Sequence, residues 1–167
     1  MTLLFTAAKF QNDDINNHLY KAEHEYPVGF ICINNELQKL HNYPNGYENA
    51  KRIESVYTHL ENKYLLSKLN SVLITQSIRD QLNELLHATH SEEYTSRLKC
   101  NELSQQPDIY TTQDTYTVAA EAVLCAVSLT DNLCRDVIKS GFALIRPPGK
   151  IDHSFARYFP VIFTRTH

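Results

Sequence analysis

Between Asp114 and Gly149 the chain carries one pattern that few folds accommodate: a long helix, then a short apolar strand, then a stiff loop. The apolar positions Val118, Ala122, Ala126, Leu129, Leu133 and Val137 step by four, four, three, four and four, the repeat of a helix with one face in a core. Asp114 opens this helix, and Gly141 is placed to close it as a left-handed cap. Phe142-Ala143-Leu144-Ile145 has the length and composition of a strand, and Arg146-Pro147-Pro148-Gly149 leaves its carboxyl end. A helix that returns to a strand apolar on both sides is the repeating piece of a parallel sheet with helices on its faces.

The rest of the chain supplies companion pieces. Val28-Gly29-Phe30-Ile31-Cys32-Ile33 is a second strand apolar on both faces, and Ser71-Val72-Leu73-Ile74 a third. Ile53, Val56, Tyr57 and Leu60 recur at helical spacing and predict an inward face for a helix over 48–62, with Glu48 near its positive end. Ser77 can cap a helix whose apolar face is Leu82, Leu85 and Leu86. Ser91 can cap another, with Glu92 and Glu93 in the first turn and Tyr94 and Leu98 facing inward. Residues 1–27 are polar and read as an N-terminal arm. The fold class expected is α/β, an incomplete three-layer α/β/α unit with a mainly parallel sheet. Its strands fall near 28–33, 71–75 and 142–146, and its longest helix covers most of 115–139. In open sheets of this kind chemistry sits in loops beyond the carboxyl ends of strands, where Arg146 to Gly149 lie.

Composition excludes several classes. A chain of 167 residues is one domain of ordinary size. A net charge of −3 with no basic stripe argues against direct nucleic-acid binding, the ten tyrosines notwithstanding. Four glycines with no G-x-G-x-x-G or Walker spacing leave no phosphate cradle. No apolar run approaches the ~18 residues of a membrane span. Cys32, Cys100, Cys125 and Cys134 stand singly and read as small hydrophobes or free thiols of an intracellular protein, Cys125 and Cys134 being structural. His87 and His90, with Asp152 and His153, could be imagined as metal ligands. A catalytic zinc needs three converging groups, so the plainer reading is a histidine packed under a helix start and an exposed tail residue.

Gly141 through Gly149 closely resembles the segment before the active-site histidines of class II histone deacetylases. Three further segments resemble the same family in order. Tyr43-Pro44-Asn45-Gly46 with Glu48-Asn49-Ala50-Lys51-Arg52-Ile53 is similar to its first loop and helix start. Leu86 through Tyr94 is similar to its Val-His-Ser-x-x-Tyr helix start. Asp108-Ile109-Tyr110 with the helix from Thr115 is similar to its tyrosine-containing loop and alanine-rich helix. The resemblance covers about 28 to 149 and implies the arginase/deacetylase fold. It also implies the family reaction, hydrolysis of the acetyl amide of lysine on an acetylated protein substrate. There a single zinc polarises the carbonyl and activates water, a histidine pair after Pro-Pro-Gly moves protons, and a downstream tyrosine steadies the oxyanion. It further implies a role in chromatin regulation, in the nucleus or the cytoplasm.

The sequence departs from the family after Gly149. Lys150 and Ile151 stand at the histidine-pair positions. Isoleucine cannot titrate, and a lysine is protonated at neutral pH unless strongly desolvated. Residues 150–167 show no similarity to the family, so its zinc ligands and oxyanion tyrosine are not found here. The expected organisation is an arm (1–27), a partial deacetylase-like domain (28–149) and a divergent tail (150–167). The expected function is that of a truncated, inactive pseudoenzyme with no metal of its own. Its alternative is a non-catalytic module binding a full-length deacetylase or a corepressor. The apolar segment Tyr158 to Phe163 is expected to pack or pair where the sheet would otherwise be open.

Overall fold

Phe30 and Ile31, neighbours on the first strand, enter two different cores, and that split organises the molecule. The computed structural model describes residues 28–42, 49–102 and 110–147, together with the backbone of 161–164. The elements in order are β1 (Val28–Cys32), α1 (Asn35–Lys39), α2 (Lys51–Asn62), a 3-10 turn (Leu66–Lys68), β2 (Asn70–Ser71), α3 (Gln76–Asp80), α4 (Leu82–His87), α5 (Glu92–Lys99), α6 (Thr115–Cys134), β3 (Ser140–Leu144) and β4 (Val161–Thr164). The sheet order is β2-β1-β3-β4. The first three strands run parallel, and β4 runs antiparallel to β3. This is the expected mainly parallel sheet.

Alternation along β1 and β3 builds the layers. On one face Ile31, Ile33 and Ala143 join Val72, Ile138 and the inward residues of α6, namely Val118, Ala122, Cys125, Leu129 and Leu133. On the other, Phe30 and Leu144 join Ile53 of α2, with Cys32, Phe142, Leu60, Leu66 and Leu69 packed around them. Phe30 and Phe142 stack across the strands with ring centroids 5.9 Å apart. Strands apolar on both faces are thus covered on both faces, and α3 and α5 pack beside α6 in its layer. By length and composition α6 could cross a membrane, contrary to the expectation that no such run exists. Val118 and Leu129 are fully buried against the sheet, the arrangement of a core helix.

Several local expectations are corrected. Gly141 does not cap α6, because it lies inside β3 and no described glycine has positive φ. Asp136 takes that conformation instead (φ 58°), and the Asp136 and Val137 N–H groups donate to the Leu133 and Asn132 carbonyls. The helix therefore stops before Val137, which is exposed, and Ile138 enters the core in its place. Thr75, not Ser77, caps α3, its Oγ1 accepting from the Ile78 N–H at 3.4 Å. The helical stretch behind it divides into α3 and α4. Ser91 caps α5 as expected, accepting from the Tyr94 N–H. Tyr94 itself points outward, and Thr95, whose hydroxyl donates to the Ser91 and Glu92 carbonyls, is the buried residue. In α2 only Ile53 is buried, and Val56 and Tyr57 are exposed. The described part of that helix starts at Lys51, and Glu48 lies outside the described residues.

Candidate functional site at the carboxyl edge of the sheet

The carboxyl ends of β1 and β3 are joined by the Ile33 N–H, which donates to the Leu144 carbonyl at 3.0 Å. Directly beyond, the chain after β1 turns into α1. Asn34 caps that helix, its Oδ1 accepting from the Glu36 and Leu37 N–H groups. The cap fixes where Gln38 falls, and Gln38 is wholly buried. Beyond β3, Arg146 is 3% exposed, and its Nη1 donates to the Gln38 carbonyl at 2.7 Å. The guanidinium thus ties the loop after β3 to α1, across 108 residues of sequence. Gln38 Nε2 donates to Asn35 Oδ1 at 2.6 Å.

The amino end of α6 adds a second set of polar groups. His41, just past α1, is buried, with Nδ1 2.9 Å from Thr115 Oγ1 and its ring 5.7 Å from that of Tyr110. Thr115 Oγ1 also accepts from the Thr112 N–H at 2.6 Å, so the start of α6 is held by this hydroxyl and not by Asp114. Thr111 is buried beside it in sequence. A hydroxyl next to an imidazole invites a nucleophile–base reading. Here both groups are buried and the hydroxyl oxygen already receives a backbone N–H, so the pair fastens α1 to α6.

Of the residues singled out from sequence, Arg146 and Pro147 are described, and Arg146 is buried and bonded to the Gln38 carbonyl. Pro148, Gly149, Lys150, Ile151, Asp152 and His153 lie outside the described residues. His87 and His90 are both exposed, and the His90 ring contacts Tyr94. Cys125 is buried, and burial pushes its thiol up to about 12. Burial likewise pushes Cys32 up to about 11. Cys100 and Cys134 are exposed. Gln38, His41 and Thr115 were not foreseen as a group. The only local signal was a polar residue set between Leu37 and Leu40 in a helix capped by Asn34.

A histone deacetylase domain model matches residues 46–156. The chain belongs to the histone deacetylase family. The match takes in α2, α6 and β3, and in sequence Pro147-Pro148-Gly149, whereas β1, α1, Gln38 and His41 lie before it. Human histone deacetylase 9 is 27% identical over an alignment of 126 residues, which covers 61% of this chain and 12% of the human protein. The chain therefore spans a small part of that relative's length. The α/β unit described above is a partial deacetylase domain, with the sheet and helix layers of the arginase/deacetylase fold.

The family's zinc requires several converging N, O or S ligands. Among the described residues no three His, Cys, Asp or Glu side chains come together. The buried layer at the carboxyl edge offers an imidazole, a guanidinium, amides and hydroxyls. These residues do not make a zinc site.

Proposed function

We propose that this histone deacetylase relative is of the class II kind and keeps scaffold around the acetyl-lysine site without the groups that hydrolyse the amide. The observation that carries the reading is the sequence after Pro147-Pro148-Gly149, where Lys150 and Ile151 replace the family's proton-moving histidine pair. A protonated ammonium cannot accept a proton from water, and an aliphatic side chain can neither give nor take one. Members of a catalytic set act as a unit, so loss of the histidine pair alone leaves little specific acceleration. In this reading the chain holds no zinc of its own and acts in the nucleus or cytoplasm.

The role left to such a chain is binding a full-length deacetylase or a corepressor. Val56 and Tyr57 favour this, since they continue the apolar stripe of α2 yet stand exposed.

The test is an acetyl-lysine peptide assay with added Zn²⁺, with zinc content measured on the purified protein. No chelator-sensitive turnover is expected. Turnover that survives repurification and disappears with a chelator would refute the reading. Capture of a full-length class II deacetylase by the wild type, lost with Val56→Asp/Tyr57→Asp, would support the binding role.

A further inference from the structure

The strand that closes the sheet is the part that the parallel pattern least requires. β4 arrives antiparallel, pairing Ser140 with Thr164, Gly141 with Phe163, Phe142 with Ile162 and Ala143 with Val161. It covers the outer edge of β3 over nearly the whole strand, while β1 takes the inner edge from Val28 to Cys32. Without β4, Gly141-Phe142-Ala143-Leu144 would present unpaired N–H and C=O groups on a strand with no charge and no proline to repel another chain. Residues 145–160 separate the two strands. The covalent link makes pairing of β4 with β3 an intramolecular event. Its short ladder is also a small unit, able to open without unfolding the two cores.

We propose that the outer edge of β3 is a strand-acceptor surface and that Val161–Thr164 guards it in cis. When the guard is displaced, the partner the edge fits is the same sheet edge of a second copy of this chain. The recognition is main-chain pairing in the antiparallel sense, which is self-complementary about a two-fold axis. The proposal rests on strand pairing alone and stands apart from the catalytic reading.

The test uses the full chain with the exposed Cys100 and Cys134 replaced by serine. In that background Phe163→Pro removes a ladder donor from β4, because Gly141, its register partner, faces β4 whereas the Leu144 carbonyl accepts from β1. The β3 amides that do not bond to β1 should then exchange about tenfold faster or more. The variant should also self-associate with rising concentration in size-exclusion chromatography with light scattering. A second variant, Ser140→Cys/Thr164→Cys, joins positions that face each other across the ladder. Oxidised, it should form an intrachain disulfide and stay monomeric at concentrations where Phe163→Pro associates. The proposal is overturned by any of three results. Phe163→Pro matching its parent in both β3 exchange and elution is the first, and loss of protection in α6 and β1 along with β3, which would make β4 part of the core, is the second. The cysteine pair forming interchain disulfides is the third.

Discussion

Gly29 and Gly141 lie side by side in register on β1 and β3, and the side chain of Leu129 from α6 sits over both. A Cβ on Gly141 would fall 2.6 Å from Leu129 Cδ1 and 2.9 Å from its Cγ, and a Cβ on Gly29 would meet Ile138 and Leu129. The two glycines let a long helix approach the centre of the sheet. Leu129 is fully buried, so it has nowhere to swing. Gly141→Ala should therefore destabilise by about 1–3 kcal/mol, the usual cost of overpacking a filled core. Urea denaturation should show a lower midpoint at unchanged slope. Adding Leu129→Ala should cost less in the Gly141→Ala background than in the wild type, because both changes act on one contact.

Arg146 gives a second outcome. Its guanidinium is the buried link between α1 and the loop after β3. Arg146→Met keeps much of the stem but leaves the Gln38 carbonyl without this donor, a loss of about 2 kcal/mol. Arg146→Lys should recover only part of this, since an ammonium on a differently shaped stem lacks the planar fork. Chemical denaturation of the three proteins, compared at equal slope, is the measurement.

Alkaline pH should act on two thiols, the half-buried Cys32 and the buried Cys125. Burial raises Cys32 from 9.0 to about 11 and Cys125 from 9.0 to about 12, so the folded protein keeps both protonated where the unfolded chain would ionise them. The unfolded state then binds fewer protons than the folded state, and stability falls as pH rises. This contribution is intact below about pH 9 and is lost between there and the folded values. Cys125→Ala should flatten part of the decline. At pH 8 a thiol reagent should modify the exposed Cys100 and Cys134 quickly and Cys125 only on unfolding. Prompt labelling of Cys125 in the folded protein would contradict its placement.

What was legible in the sequence follows the range of the interaction. Strands apolar on both faces and the stripe of α6 are local patterns with one physical meaning, and both layers of the core came from them. Tyr94 and Thr95 show where this fails. Hydrophobicity favours burying the tyrosine, but α5 packs on α6 through a face that includes the threonine, whose hydroxyl is satisfied by the Ser91 and Glu92 carbonyls. Arg146 stands out in the sequence beside Pro147, but its buried companions Gln38, His41 and Thr115 could not be read at all. No local pattern brings a carbonyl to a guanidinium 108 positions away, and only the parallel return of β3 beside β1 does so.

The helix ends carry the last prediction. A chain with four glycines has few to spend on helix caps. α2, α5 and α6 end instead on Tyr64 (φ 54°), Asn101 (φ 55°) and Asp136 (φ 58°), each followed by the same pair of backbone bonds. At Tyr64 the Tyr64 and Leu65 N–H groups donate to the Glu61 and Leu60 carbonyls at 2.8 and 2.9 Å. The left-handed conformation costs a residue with a Cβ about 1–2 kcal/mol, which glycine does not incur. Asparagine and aspartate offset part of that with local hydrogen bonds, whereas tyrosine has no such compensation and here is 79% exposed. Against the gain stands the greater freedom glycine gives the unfolded chain, so the net should be smaller than the strain alone. Tyr64→Gly is therefore expected to stabilise by about 0.5–1 kcal/mol, and Tyr64→Ala to give none of that benefit. Thermal unfolding of the two variants beside the wild type decides it. If the alanine stabilises as much as the glycine, the gain comes from removing an exposed ring and not from relieving the backbone.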